Sequence, residues 1–349
     1  MKNNLNLNEA LKLITPLNSE AMKKAEELQG ILIKPLGSLG ELEKISIKIA
    51  GITGRSKNQI HKKVICLFGS DHGIYEEGVC SSPQNFTAKL MKVYAENQNA
   101  GINILSKQAN SELKIYDLGV KNLEHHRNII TKKFLPYGTN NFLHGRAMDY
   151  DTAKKVIEFG ISTVKTLKDE GFNLIGTGEV GMSNTTPACA CIMAGLKSMD
   201  ENLIGRGAGL NDESFARKKN VILEALKLHE KNFTDPVNII SCVGGLDIAA
   251  MTGIFIGGAV YKVPIIIDGV ISISAALMAF LIESLVSEYF FASHESLEPA
   301  YNRAAEFMNL TPPLKLSMRL GEGTGCAIFM QIIDDSLAII NNMGTFEEF

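Results

Sequence analysis

Phe172-Asn173-Leu174-Ile175, followed at once by Gly176-Thr177-Gly178-Glu179-Val180-Gly181, is the stretch on which the fold reading turns. A short β-rich run opens onto glycines and a carboxylate. Working outward, the same grammar recurs. Lys63–Phe68 is followed by Gly69-Ser70-Asp71-His72-Gly73, Val237–Cys242 by Val243-Gly244-Gly245, Val263–Ile267 by Asp268-Gly269, and Tyr289–Ala292 by Ser293-His294-Glu295-Ser296. With Leu113–Leu118 these are the expected strands, and longer helical stretches separate them. That alternation predicts an α/β protein built on a doubly wound, mainly parallel sheet. In such sheets ligands sit at the carboxyl ends of the strands, where main-chain amides and helix N-termini converge. Turning loops account for many of the glycines. They do not account for the acids and histidines among them.

The flanks read differently. Residues 1–55 show helical periodicity around the turn-rich Lys34-Pro35-Leu36-Gly37-Ser38-Leu39-Gly40 and are expected to form a helical appendage. Near the other end, Leu314–Leu320 leads into Gly321-Glu322-Gly323-Thr324-Gly325 and then an apolar helix to about Asn342, with Thr324 as its expected cap. Lys132–Tyr150 is expected to be an irregular surface connection.

Composition narrows the function. A chain of 349 residues, 45% hydrophobic and 21% charged, can bury a large core. Thirty-five basic against 38 acidic residues leave a net charge of −3, which supplies no global field for nucleic acid. Cys66, Cys80, Cys189, Cys191, Cys242 and Cys326 form no CxxC pair, the usage of a reducing compartment, and the first residues lack the apolar core of a signal peptide; the expected location is cytoplasmic. The charge-free runs Ile248–Tyr261 and Gly269–Ile282 are each 14 residues long, too short to span a bilayer and suited to buried helices.

Several clusters carry chemistry. Gly176 to Gly181 satisfies GxGxxG after an expected strand, with Asp200 beyond it, so an NAD-dependent oxidoreductase is one reading. Glu179 would set a carboxylate beside a pyrophosphate, and the motif lies halfway along the chain, both against it. Gly205-Arg206-Gly207 precedes a helix bearing Arg217, Lys218 and Lys219, which suits either a phosphate monoester or a capped surface helix. Asp71-His72 and His294-Glu295 lack the spacing of a metal site and are expected to orient loops and bind substrate; no metal or other cofactor is expected. Glu322, flanked by glycines in apolar surroundings, has the setting of a general base with a raised pKa.

Taken in order, these blocks resemble one family over essentially the whole chain. They are Lys34–Gly40, Asp71-His72-Gly73, Glu77-Gly78-Val79, Ser82-Pro83-Gln84, Gly178–Thr186, Gly205–Gly207, Asp268-Gly269, Ser293-His294 and Gly321–Gly325. The family is the nicotinate-nucleotide:dimethylbenzimidazole phosphoribosyltransferases, which activate the lower ligand of cobalamin. The resemblance implies a homodimer whose protomer has a Rossmann-like large domain, residues 59–304, and a small helical domain from both chain ends, residues 1–58 and 305–349. It implies that nicotinate mononucleotide and 5,6-dimethylbenzimidazole give nicotinate and α-ribazole 5'-phosphate, with Glu322 as the base.

By the same resemblance the nucleotide's phosphate and ribose should meet Gly176, Thr177, Gly178, Glu179, Gly181, Ser183, Asn184, Gly205, Arg206, Gly207, Asp268 and Gly269. Lys218 and the hydroxyls of Ser293 or Ser296 should join them, while Ser82, Leu90, Val180 and Met182 should border the acceptor ring. Leu90 stands where relatives carry a polar side chain, and Val180, Met182 and Ser183 where they vary, so another benzimidazole, a purine or a phenol are alternative acceptors. A nonenzymatic nucleotide-binding protein is the remaining alternative. No partner beyond small-molecule substrates and a second copy of the chain is expected, and neither nucleic acid nor membrane is among them.

Overall fold

The computed structural model describes residues 5–348, so the outermost positions of the expected terminal domain, 1–4 and 349, lie outside the described residues. Strands β1 (Lys63–Ser70), β2 (Ser111–Gly119), β3 (Ile129–Thr131), β4 (Leu174–Val180), β5 (Ile265–Ile267) and β6 (Phe290–Ala292) form one sheet in the order β3-β2-β1-β4-β5-β6. Every neighbouring pair is parallel. That order reverses between β1 and β4, which opens a crevice beyond their carboxyl ends, the usual ligand position in doubly wound sheets.

Helices α1 (Leu7–Leu11), α2 (Ser19–Ile31) and α3 (Glu41–Thr53) precede β1, and α4 (Phe86–Ala95) and α5 (Gly101–Gln108) join β1 to β2. Helix α6 (Tyr150–Asp169) leads to β4. Four more, α7 (Thr185–Gly195), α8 (Asp212–His229), α9 (Pro236–Val243) and α10 (Leu246–Tyr261), lie between β4 and β5. Helix α11 (Val270–Ile282) joins β5 to β6, and α12 (Pro299–Phe307) and α13 (Thr324–Asn342) follow.

Alternation along β4 separates the two helical layers. A Cβ on Gly176 would stand 2.7 Å from the Cβ of Cys326 in α13, whereas Thr177, facing the other way, lies 2.6 Å from the Ser272 hydroxyl of α11. Helix α13 packs on α3 as well as on the sheet, so the carboxyl-terminal segment is joined to both the amino-terminal helices and the central layer. The runs 248–261 and 269–282 are the buried bodies of α10 and α11, and among the described residues no helix is long and apolar enough to cross a membrane.

Four expectations need correction. Val237–Cys242 is not a strand but most of α9, because the Asp235 side chain accepts the Asn238 amide and Pro236 occupies the first turn, both helix-starting devices. A short apolar run buried on all sides has no periodicity to distinguish the two. The brief edge strand β3 was not expected. Lys132–Tyr150 is irregular as expected, yet it is not confined to the surface: Phe142, Ala147 and Met148 are buried, and Ala147 and Met148 donate main-chain hydrogen bonds to α9. Finally, Gly323 and not Thr324 is the N-cap of α13; the Thr324 hydroxyl instead donates back to the Gly321 carbonyl at 2.7 Å.

Candidate active site

The crevice at the strand order reversal is a cleft bounded by the segments following β1, β4, β5 and β6 and by Arg319–Glu322. Ser82, Leu90, Val180 and Met182, the residues expected to border the acceptor ring, line it together. Glu179, Gly181, Ser183, Asn184, Gly207, Gly269, Ser296 and Glu322 also line it. The remaining expected contacts do not line it, and the reasons are specific.

Gly176, Thr177 and Gly178 are not a phosphate loop. They belong to β4, in register with Ile65, Cys66 and Leu67 of β1, so this GxGxxG is strand and not turn. A Cβ on Gly178 would come within 2.8 Å of the Glu322 carbonyl oxygen; the glycine is there so that the Gly321–Gly325 loop can lie on the strand. Lys218 is sealed from solvent, its ammonium donating to Thr185 Oγ1 and to the Gly205 carbonyl, each at 2.9 Å, which ties α8 to the start of α7. Arg206 turns outward to the Leu210 carbonyl and Asp212. Ser293 bonds the neighbouring His294 ring at 2.9 Å.

Asp268 clamps the loop that carries Glu322. Its two carboxylate oxygens accept the amides of Gly323 at 2.9 Å and Gly325 at 2.7 Å. Within this clamp Glu322 is held at φ +63°, the left-handed region, which costs a non-glycine residue on the order of 1–2 kcal/mol. Strain of this kind persists only where surrounding contacts over-determine the backbone. Here it places Glu322 in the lining of the cleft.

The site concentrates negative charge. Burial, then Asp247 and Asp268, push the Glu179 carboxyl up to about 8, against the hydrogen bond it accepts from Asn184. Glu322 is also raised, first by burial and further by Asp268, while the Tyr94 hydroxyl opposes the shift. His72, expected to reach substrate, lies instead behind Gly181, 3.4 Å from Asp247, and Asp71 accepts the Lys121 amide at 2.8 Å. Among the described residues no group of acids, histidines and cysteines could hold a metal ion.

Glu179→Gln gives a test of this electrostatic picture. The folded carboxyl titrates near 8 and the unfolded one near 4.5, so the unfolded chain loses this proton first and stability falls as pH rises between those values. The glutamine variant, which keeps an acceptor for Asn184, escapes that loss. Its melting temperature should exceed the parent's by a margin that is small near pH 5 and widens up to about pH 8. A margin independent of pH would contradict the assignment.

Residue reading missed three residues. Arg319 and Glu298 line the cleft beside His294, which was expected to reach substrate, and Tyr94 donates to Glu322 Oε1 at 2.6 Å from outside it. Arg319 had a signal, a cation close before a glycine-rich loop. Glu298 and Tyr94 had none.

A cleft at the strand-order reversal, lined by apolar side chains and by one acid held in a left-handed backbone conformation, is the arrangement of an α/β enzyme, and sequence comparison agrees. The chain belongs to the phosphoribosyltransferase family whose model matches residues 14–349. It is 44% identical over 342 residues to the nicotinate-nucleotide–dimethylbenzimidazole phosphoribosyltransferase of a Clostridium perfringens strain, covering 98% of this chain and 94% of that protein. A protein of the same name from Dehalococcoides mccartyi is 40% identical over 344 residues, covering 98% of this chain and 97% of that one. The crystal structure of CobT from Thermus thermophilus superimposes with a TM-score of 0.89 at 30% identity, covering 94% of this chain and 98% of that chain.

Proposed function

We propose that this protein transfers the 5-phosphoribosyl group of nicotinate mononucleotide to 5,6-dimethylbenzimidazole or a related base, with inversion at the anomeric carbon. The observation that carries the proposal is Glu322, a partly buried acid that lines the same cleft as Leu90, Val180 and Met182. One benzimidazole nitrogen attacks the anomeric carbon as its bond to the pyridinium nitrogen breaks. That bond's electron pair returns to the pyridine ring, which departs as nicotinate without needing an acid. The attacking ring becomes cationic, and Glu322 takes the proton from its other nitrogen.

The phosphate fits the Gly207 side of the cleft. The Gly207 amide already donates to a carboxylate oxygen, Oε1 of Glu298, at 2.8 Å, so this loop can hold an oxyanion, and Arg319 stands beside it as a cation without an acidic partner among the described residues. The apolar Leu90 favours flat, weakly polar acceptors. The strand placement of Gly176–Gly178 counts against the dinucleotide reading. To the same proposal belong a homodimer, the division into residues 1–58 with 305–349 and residues 59–304, and a cytoplasmic location, which six unpaired cysteines suit.

Incubation with nicotinate mononucleotide and a panel of benzimidazoles, purines and phenols should release nicotinate and form the α-riboside phosphate, both read by mass spectrometry. Binding without release would leave a nonenzymatic nucleotide-binding protein.

A further inference from the structure

Helix α4 presents Thr87, Leu90, Met91 and Tyr94 along one face, the spacing at which residues of a helix stack. Each has a separate task. Thr87 Oγ1 accepts the Met182 amide at 3.1 Å and so fixes the loop after β4. Leu90 lines the acceptor wall. Met91 fills the space that a side chain on Gly69 would need, which seats the helix on β1. Tyr94 is buried, lies outside the cleft and directs its hydroxyl at Glu322 Oε1, 2.6 Å away. Among the described residues it is the side chain that hydrogen-bonds this carboxylate.

We propose that Tyr94 is a positioning residue for the base: from the hidden side of the wall its hydroxyl holds one oxygen of Glu322, leaving the other for the acceptor's proton, and favours the ionised carboxylate. The proposal rests on Glu322 being the base. A hydroxyl can do this only while it keeps its proton, and burial together with the charges of Glu322 and Glu179 pushes the Tyr94 phenol well above its usual range. Of the other titratable groups around Glu322, Asp268, behind the loop with His294 beside it, raises the carboxyl, whereas Glu179 on β4, itself pushed up to about 8, is largely protonated at neutral pH. Arg319 lies on the segment of Glu322 itself and lines the same cleft. The tyrosine is thus the neutral donor that offsets burial and neighbouring acids. Because Leu90 and Tyr94 share one helix face, the surface that meets the acceptor and the group that aims the base are set by the same rigid element.

The test is the pH dependence of nicotinate release with dimethylbenzimidazole as acceptor, measured for the parent, Tyr94→Phe and Glu322→Gln. Phenylalanine keeps the ring and removes only the donor. Its acid limb should move up by about one pH unit, a loss of about tenfold on the acid side that closes toward the alkaline plateau, with KM for the acceptor within about twofold. Replacement of Tyr94 by 3,5-difluorotyrosine, a stronger donor of nearly the same shape, should move the limb downward and serves where the phenylalanine variant does not fold. An acid limb unmoved in either variant overturns the role of Tyr94. Parent-like activity in Glu322→Gln overturns the base assignment instead, so the two failures are distinct.

Discussion

Glu322→Gln is expected to lower kcat by about 10²–10⁴-fold, the usual worth of a positioned general base, while KM for the nucleotide changes little. Glutamine has nearly the same shape and can still accept from Tyr94, so the loss reports the missing proton acceptor and not a displaced loop. A second acceptor sharpens the reading. In 1-methylbenzimidazole the nitrogen remote from the attacking one carries no proton, so there is nothing for a base to remove. The penalty of the variant should shrink to about tenfold or less with that acceptor. Equal penalties for both acceptors would mean that Glu322 acts by charge or by placement and not by accepting a proton.

Asp268→Ala should be the most damaging change away from the cleft surface. It removes the acceptor from the Gly323 and Gly325 amides, both in a buried setting, and each orphaned donor costs about 1–3 kcal/mol. Against a total stability of about 5–15 kcal/mol this is a large fraction, and thermal unfolding of a chain this long should shift down by roughly 3–8 °C. The left-handed Glu322 should then relax, since among the described residues Asp268 is the side chain that accepts both the Gly323 and Gly325 amides. Activity should fall with stability, and Asp268→Asn, which keeps one acceptor but sets an amide donor against the other N–H, should fall between the two. A melting temperature within about one degree of the parent's would show that the clamp is not what holds the loop.

Asp268 also shows where residue reading stops. Its position after β5 and before a glycine was legible and placed it at the carboxyl edge of the sheet, but ligand contact and loop anchoring call for the same residue type there. Only the approach of a segment more than fifty residues later decides between them. Gly176-Thr177-Gly178 fails in the same way. As letters they satisfy a phosphate-loop pattern, and as backbone they are the middle of β4, where absent side chains admit α13 and the Glu322 loop. Tyr94 and Glu298 were invisible because a tyrosine within an apolar helix and a glutamate before a proline have many ordinary uses.

Local chemistry alone determined the alternation of strands and helices, the gathering of polar residues at strand ends, the burial of 248–261 and 269–282, and Glu322 as the acid to watch. Each follows from periodicity, turn propensity or flanking glycines, which act over a few residues. Tertiary structure decided that Val237–Cys242 is helical, that the glycine motif is strand, which expected contact residues line the cleft, and which tyrosine hydrogen-bonds Glu322. Those outcomes depend on burial and on hydrogen bonds between segments distant in sequence, where the energy of a group is set by what packs against it and not by its neighbours along the chain.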